Sequence, residues 1–295
     1  MDEYALGVLT NIGLVSFVAL SAYLLLIAGE LSFGQQAFFG VGAYAAGMAT
    51  AMLGLPLPVA VLISMILGAA AAALVALPTL RLRGLYFAMA TLAAAEMFRI
   101  LFELLHWQIE VGGERVGPDG TQGFRGIRWV FERGVEPDAF LAIVWLLLGL
   151  VLLLFLVMER SRLGTTLRAL GDDPGLAGAL GIDVERFKLG VVAASGALAA
   201  LGGALYAHHN TYIEPRNFDI MLGVHSLAYA LIGGLGSALG PLLGAVLDIG
   251  VLEASRFLHG YRMIVFGGLV ALLLVFRPRG LLDERTVRWL RARFS

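Results

Sequence analysis

Long apolar runs alternate with short polar breaks along this chain. Runs at 5–28, 33–53, 58–78, 85–105, 139–158 and 187–208 each approach the ~20 residues a helix needs to cross a ~30 Å hydrocarbon core. A longer apolar region, 221–255, contains GGLGSALGP (Gly233–Pro241), where glycines and a proline break a helix, and a last run covers 262–276. Such spans must be helical, because a lone strand leaves its backbone groups unpaired in lipid. The pattern predicts an all-α polytopic membrane protein, a single domain over 1–295 with about nine transmembrane helices, some short or broken.

Composition supports that reading. The 295 residues are 59% hydrophobic and 15% charged, with mean hydropathy +0.85. Soluble domains average nearer 45–50% apolar and about 25% charged. A net charge of −1 gives no reason to expect a nucleic-acid partner. Without cysteine there is no disulfide, thiol nucleophile or cysteine metal site. The start, MDEYALG, lacks the basic region of a secretory signal, so the first run is expected to remain as a span. No phosphate-binding G-x-x-x-x-G-K-[ST] loop is present, so any nucleotide hydrolysis by that route belongs to another chain.

Orientation follows from counting Lys and Arg by loop. Arg81 and Arg83, five cations in 159–188 and six in 277–295 mark the cytoplasmic side. The segment 106–138 holds four arginines against six acids and suits the external side. Reading 221–255 as two short helices returns the tail to the cytoplasm and puts the N-terminus outside. That tail, 277–295, sets Val287, Leu290 and Phe294 on one stripe among arginines, an amphipathic helix for anionic lipid or a cytosolic partner.

Candidate chemistry sits where the hydrophobic pattern is violated. LSFGQQAFFGVGAYAAG (Leu31–Gly47) places four glycines and two glutamines inside an apolar run. Gly34 beside Gln35 and Gln36, and Pro241 after its glycines, mark broken backbone, tolerated at membrane depth only against protein or a water-filled cavity. Gly236, Gly240 and Gly244 form a ladder that reads as one small helix face. Glu96, Arg99 and Glu103 share a helix face and fit either a structural ion pair or a pathway. Asp248, Glu253 and Arg256 form a second such group. His208, His209 and Asn210 lack the further ligands a metal would need. In SRLGTTLRALGDDPGLAGALGIDVERFKLG (Ser161–Gly190), Asp172 or Asp173 can cap a short helix with Pro174 in its first turn and Gly181 at its end, suited to a groove on a cytosolic partner.

These stretches, with RLRGLYFAMATLAAAEMFR (Arg81–Arg99), VGGERVGPDGTQG (Val111–Gly123), GALAALGGALYAH and IGGLGSALGPLLGA, together resemble the M-type permease subunits of ABC importers for branched-chain amino acids. The resemblance covers almost the whole chain. It implies the ABC importer permease fold in a bacterial or archaeal cytoplasmic (inner) membrane, with no catalytic step in this chain. Its implied partners are a homologous H-type permease, two cytosolic ATPases and a periplasmic or extracytoplasmic amino-acid-binding protein, besides membrane lipid. ATP and Mg2+ belong to the ATPases, and this chain is expected to need no cofactor or metal. The coupling loop is 159–186, where Ala177, Ala179, Gly181 and Ile182 match the family. Pro174 or Gly175 stands where relatives have an acid, leaving Asp172 and Asp173 nearby, and Val111 replaces a usual threonine. Many relatives also carry an extra N-terminal span. On this reading Gly34, Gly40, Gly42 and Gly47 shape a broken or closely packed helix. Gln35, Gln36, Tyr44, Thr91 and Glu96 are expected to approach the translocation pathway, the amides offering neutral donors and acceptors to a zwitterion. Sister importers carrying urea, amides or another amino acid share these motifs. An ion-coupled secondary transporter is the alternative of a different class, and it leaves the Asp172–Gly181 helix unexplained.

Overall fold

The computed structural model describes residues 2–111, 113–253, 262–277 and 280–282. In chain order the helices are α1 (Glu3–Ile27), α2 (Gln35–Ala51), α3 (Leu57–Thr79), α4 (Leu85–Leu104), α5 (Trp129–Glu132), α6 (Pro137–Arg160), α7 (Arg162–Asp172), α8 (Pro174–Ala179), α9 (Val184–Asn210), α10 (Ile220–Gly233), α11 (Leu239–Ala245) and α12 (Arg262–Phe276). A wide π turn, Val246–Glu253, extends α11. Five helices, α1, α3, α4, α6 and α9, are long and apolar enough to cross a membrane unaided. Beside them stand the shorter α2, α10, α11 with its π turn, and α12. The all-α bundle carries one small addition, four short antiparallel strands in the order β1 (Ile109–Val111), β2 (Glu114–Pro118), β3 (Phe124–Arg125) and β4 (Tyr212–Ile213).

Local chemistry sets the helix ends. Side chains of Ser161, Asp173, Asp183 and Asp219 accept the first free N–H groups of α7, α8, α9 and α10. Prolines 56 and 58 open α3, where a missing N–H costs nothing. Gly234, at φ +97, ends α10 in a conformation that an L side chain resists.

Inside, α1, α2, α3 and α9 meet with backbones almost touching. A Cβ on Gly42 or Gly203 would overlap backbone of the facing helix. Small residues give this proximity without the hydrophobic drive that packs helices in water. Glycine also fastens α10 to α11: a Cβ on Gly244 would strike the Tyr229 backbone, and one on Gly233 the Gly240 carbonyl. The Gly236–Gly240–Gly244 ladder is therefore split. Gly236 lies in the turn, α11 starts only at Leu239, and the small helix face consists of Gly240 and Gly244.

The two ends of the bundle differ. Glu3, Val130, Pro137 and His209 line one cleft of ≈ 290 Å³, so the N-terminus of α1 shares an end with the loop 106–138. At the opposite end the Glu159 carboxylate accepts the Ala238 N–H at 2.7 Å, and the Leu282 N–H bonds the Gly233 carbonyl at 2.8 Å. Residues 280–282 thus lie at the arginine-rich end with α7, opposite the start of α1. The expected tail helix within 283–295 lies outside the described residues.

Candidate translocation site and coupling face

α1 stops at Ile27, and residues 28–34 run without helix before α2 begins at Gln35. This break carries Glu30, which is buried and ion-paired with the buried ammonium of Lys188 near the start of α9. Counted by sequence among cytoplasmic loop charges, Lys188 is in fact sealed inside. On its other flank the break touches α7, where a Cβ on Gly171 would meet the Ile27 carbonyl. The segment is held between the two helices that bracket α8.

Just above it, three of the five expected pathway residues come together. Gln35 Oε1 accepts hydrogen bonds from Ser21 Oγ at 2.9 Å and Ser195 Oγ at 3.1 Å, tying α1, α2 and α9. Gln36 packs against Gly223 of α10. Thr91 of α4 accepts the Phe33 N–H at 3.1 Å and donates to the Ala88 carbonyl at 2.9 Å. Among the described residues, Gln35 Nε2 and Gln36 Oε1 have no partner, although both are buried. Unpaired buried amide atoms are costly, so the pair retains unused capacity for a polar guest or water.

Tyr44 and Glu96 stand apart from this cluster. Tyr44 lies two turns further along α2, stacked on Phe102 with centroids 4.5 Å apart and edge-on to Phe218, its hydroxyl unpartnered among the described residues. Gly40 makes room for Phe102 and Phe218 there, and Gly34 precedes the first turn of α2. Gln35, Gln36, Tyr44 and Thr91 are all fully buried within this one chain. Glu96 instead lies on the flank of α4, where Arg99 Nε donates to its Oε1 at 2.8 Å and the guanidinium also reaches Glu103.

At the arginine-rich end the expected short helix is present as α8, and a second helix, α7, precedes it. α7 packs its buried Leu167 and Leu170 inward. α8 follows, capped by Asp173, whose Oδ1 accepts the N–H groups of Gly175 at 2.8 Å and Leu176 at 3.0 Å. Asp172 is not the cap but the last residue of α7. α8 is less isolated than the sequence suggests, because Ala177 is buried and accepts the Ile182 N–H at 3.1 Å. Ala179 faces outward, and Gly181, at φ +88, turns the chain towards α9. Leu176 and Leu180 are 60% and 73% exposed, so α8 presents a small apolar face to whatever lies beyond the bundle.

Three further groups take shape only in three dimensions. Tyr229 donates to Asp248 at 2.6 Å across the α10–α11 hairpin; the Glu253 side chain and Arg256, expected beside it, lie outside the described residues. His208 bonds Thr50 Oγ1 at 2.9 Å and the Ala204 carbonyl at 2.7 Å, while His209 stacks on Phe140. Sequence reasoning missed Glu30, Ser21 and Ser195. A carboxylate beside Gly29 in an apolar run, and the only lysine in the chain, were the available signals for the ion pair.

Comparison with known proteins agrees with this architecture. The chain is 32% identical over 280 residues to the high-affinity branched-chain amino acid transport system permease protein LivM of Escherichia coli strain K12, covering 87% of this chain and 64% of that protein. Against the LivM protein of Salmonella typhimurium it is 34% identical over 279 residues, with the same coverage. A shorter match, 32% over 150 residues, joins half of the chain to the LivH permease protein of Salmonella typhimurium. The chain thus spans about two thirds of the length of its LivM relatives, 64% by the alignments. No solved structure gives a significant match. The family described as "Branched-chain amino acid transport system / permease component" matches residues 4–276, and this chain belongs to that family.

Proposed function

We propose that this chain is a transmembrane permease subunit of an ATP-driven importer for branched-chain or related hydrophobic amino acids, set in the cytoplasmic membrane. The observation that carries the coupling half of this reading is α8. It is a capped helix of six residues standing at the arginine-rich end with Leu176 and Leu180 exposed, a shape suited to a groove on a motor protein. ATP and Mg2+ would bind the two cytosolic ATPases rather than this chain, and an extracytoplasmic binding protein would deliver the amino acid. The substrate class rests on the family and on the printed names of the LivM relatives.

In this reading α8 passes motor movement into α7 and α9, which together grip the 28–34 break. The break carries Gln35 and Gln36 on one side and contacts Thr91 of α4 on the other. Neutral amides suit transient contact with a zwitterion, since transport requires sites weak enough to release what they bind. The test is reconstitution of the complete complex in proteoliposomes with its ATPases and binding protein. ATP-dependent uptake of leucine, isoleucine or valine supports the proposal. Uptake of urea or amides instead would keep the architecture and replace the substrate. Uptake by this chain alone, driven by an ion gradient, would overturn it.

A further inference from the structure

We infer that the cleft between the start of α1, the start of α6 and the end of α9 is a lipid site. Its ligand is a phospholipid with an ammonium headgroup, of the phosphatidylethanolamine class, from the leaflet at that end of the bundle. The inference goes beyond the importer reading and needs only the membrane class of the fold. The cleft encloses ≈ 290 Å³, with Leu6, Gly7, Val130, Val135 and Phe140 among its apolar walls and Glu3 and His209 as polar lining. Its α1 wall runs from Glu3 to Thr10, about 10 Å along the helix, so it reaches from the helix end into apolar depth. Tyr4 and Trp107 are exposed at the same end, as aromatic side chains are where a bundle meets the headgroups.

Gly7 shows that the space is built for something other than this chain. A Cβ on Gly13, two turns further along α1, would strike the Val144 side chain, so packing accounts for that glycine. A Cβ on Gly7 would meet nothing within 4 Å. Glycine weakens a helix, and here no close approach within the chain offsets the cost. The missing side chain leaves the wall of the cleft open instead.

Charge selects the headgroup. Glu3 lines the cleft beside Asp2, and Glu136 and Asp138 flank Pro137, another lining residue. Asp2 and Glu136 stand at helix N-caps, yet neither side chain caps its helix. None of the four carboxylates has an ion pair among the described residues. The base nearest to the cleft in sequence, Arg133, lies over the Trp129 ring at 5.2 Å. An acidic rim attracts an ammonium headgroup and repels a lipid of net negative charge. His209 stacks on Phe140 and has no hydrogen-bond partner among the described residues, which leaves its ring N–H for a phosphate oxygen. Glu3 thus meets the ammonium, His209 the phosphate, and the apolar walls the first methylenes of an acyl chain.

The test places the complete complex in bilayers containing a trace of phosphatidylethanolamine or phosphatidylglycerol with a diazirine in its acyl chain. After irradiation, adducts are mapped by mass spectrometry. The phosphatidylethanolamine probe is expected to label 3–10 and 130–140 several-fold more than the phosphatidylglycerol probe. Gly7→Phe, which fills the space, should abolish that labelling. Glu3→Gln, at an exposed position where folding is undisturbed, should bring the two probes to parity. Equal labelling of the unaltered complex by both lipids would overturn the site, as would labelling that neither substitution changes. Displacement of the probe by free leucine would make the cleft an amino-acid site, and protection from both lipids would mean that protein covers it; either result also overturns the inference.

Discussion

Two ion groups among the described residues have opposite settings. Glu30 and Lys188 are 158 residues apart in sequence, meet only through the fold, and are sealed by protein on every side. Glu96, Arg99 and Glu103 lie within two turns of one helix and stay partly exposed. The first group is a tertiary contact that forms only when α9 packs against the break after α1. The second forms whenever α4 is helical, and its energetic burden depends on what lies outside the chain. Where the price of a charge is met by the fold, the charge belongs to the architecture; where it is left open, the surroundings of the helix decide it.

Breaking the sealed pair should have the largest effect. Lys188→Met strands a buried carboxylate and should lower stability by about 3–5 kcal/mol, read as a thermal-unfolding shift of the purified complex. The double variant Glu30→Leu/Lys188→Leu should recover most of that loss, since buried ion pairs are commonly replaceable by apolar side chains of similar volume. Failure of the double variant to recover would mean that the pair does more than avoid an orphan charge.

A contrast between α4 and α6 sharpens the comparison: α4 carries that network along its flank, whereas α6 has no charge between Ala139 and Met158. Leu150→Arg on α6 should impair membrane insertion by about 2.5–3.5 kcal/mol, scored by an insertion assay or folded yield. Met97→Arg on α4, next to a network with one acid in excess, should lose clearly less, and equal losses would erase the distinction between the two faces.

A smaller effect is expected at the coupling face. Asp173→Ala removes the α8 cap at about 1 kcal/mol, which should leave the bundle folded while reducing uptake per ATP hydrolysed. Unchanged stoichiometry would separate α8 from coupling. Least of all, Glu103→Gln should cost only about 0.3–0.5 kcal/mol, because helix-surface ion pairs at this spacing contribute little. A large loss there would place Glu103 in a buried contact with another subunit.

The spans were legible residue by residue. Sequence placed them at 85–105, 139–158 and 187–208, and α4, α6 and α9 run Leu85–Leu104, Pro137–Arg160 and Val184–Asn210. The extra residues at the ends of α6 and α9 are mostly polar, invisible to an apolar count, yet helical because Pro137 suits the first turn of α6 and the Asp183 side chain caps α9. The interruption within Gly233–Pro241 was also readable, since glycines and proline act through local backbone geometry. Within the candidate site the glutamines stood out as polar residues in an apolar run, but their partners did not. Ser21 and Ser195 look like ordinary small residues of spanning helices until α1 and α9 are brought against α2.

Sequence alone determined the membrane class, the long apolar spans, the arginine-rich end and the short capped helix at α8. Each of these depends on local composition or on transfer between water and lipid. Only the tertiary structure decided that Lys188 neutralises Glu30, that Gly236 leaves the helix its ladder implied, and that Tyr44 joins an aromatic cluster away from the glutamines. Those outcomes depend on which helix faces approach, and the periodicity of one segment carries no record of the register of another.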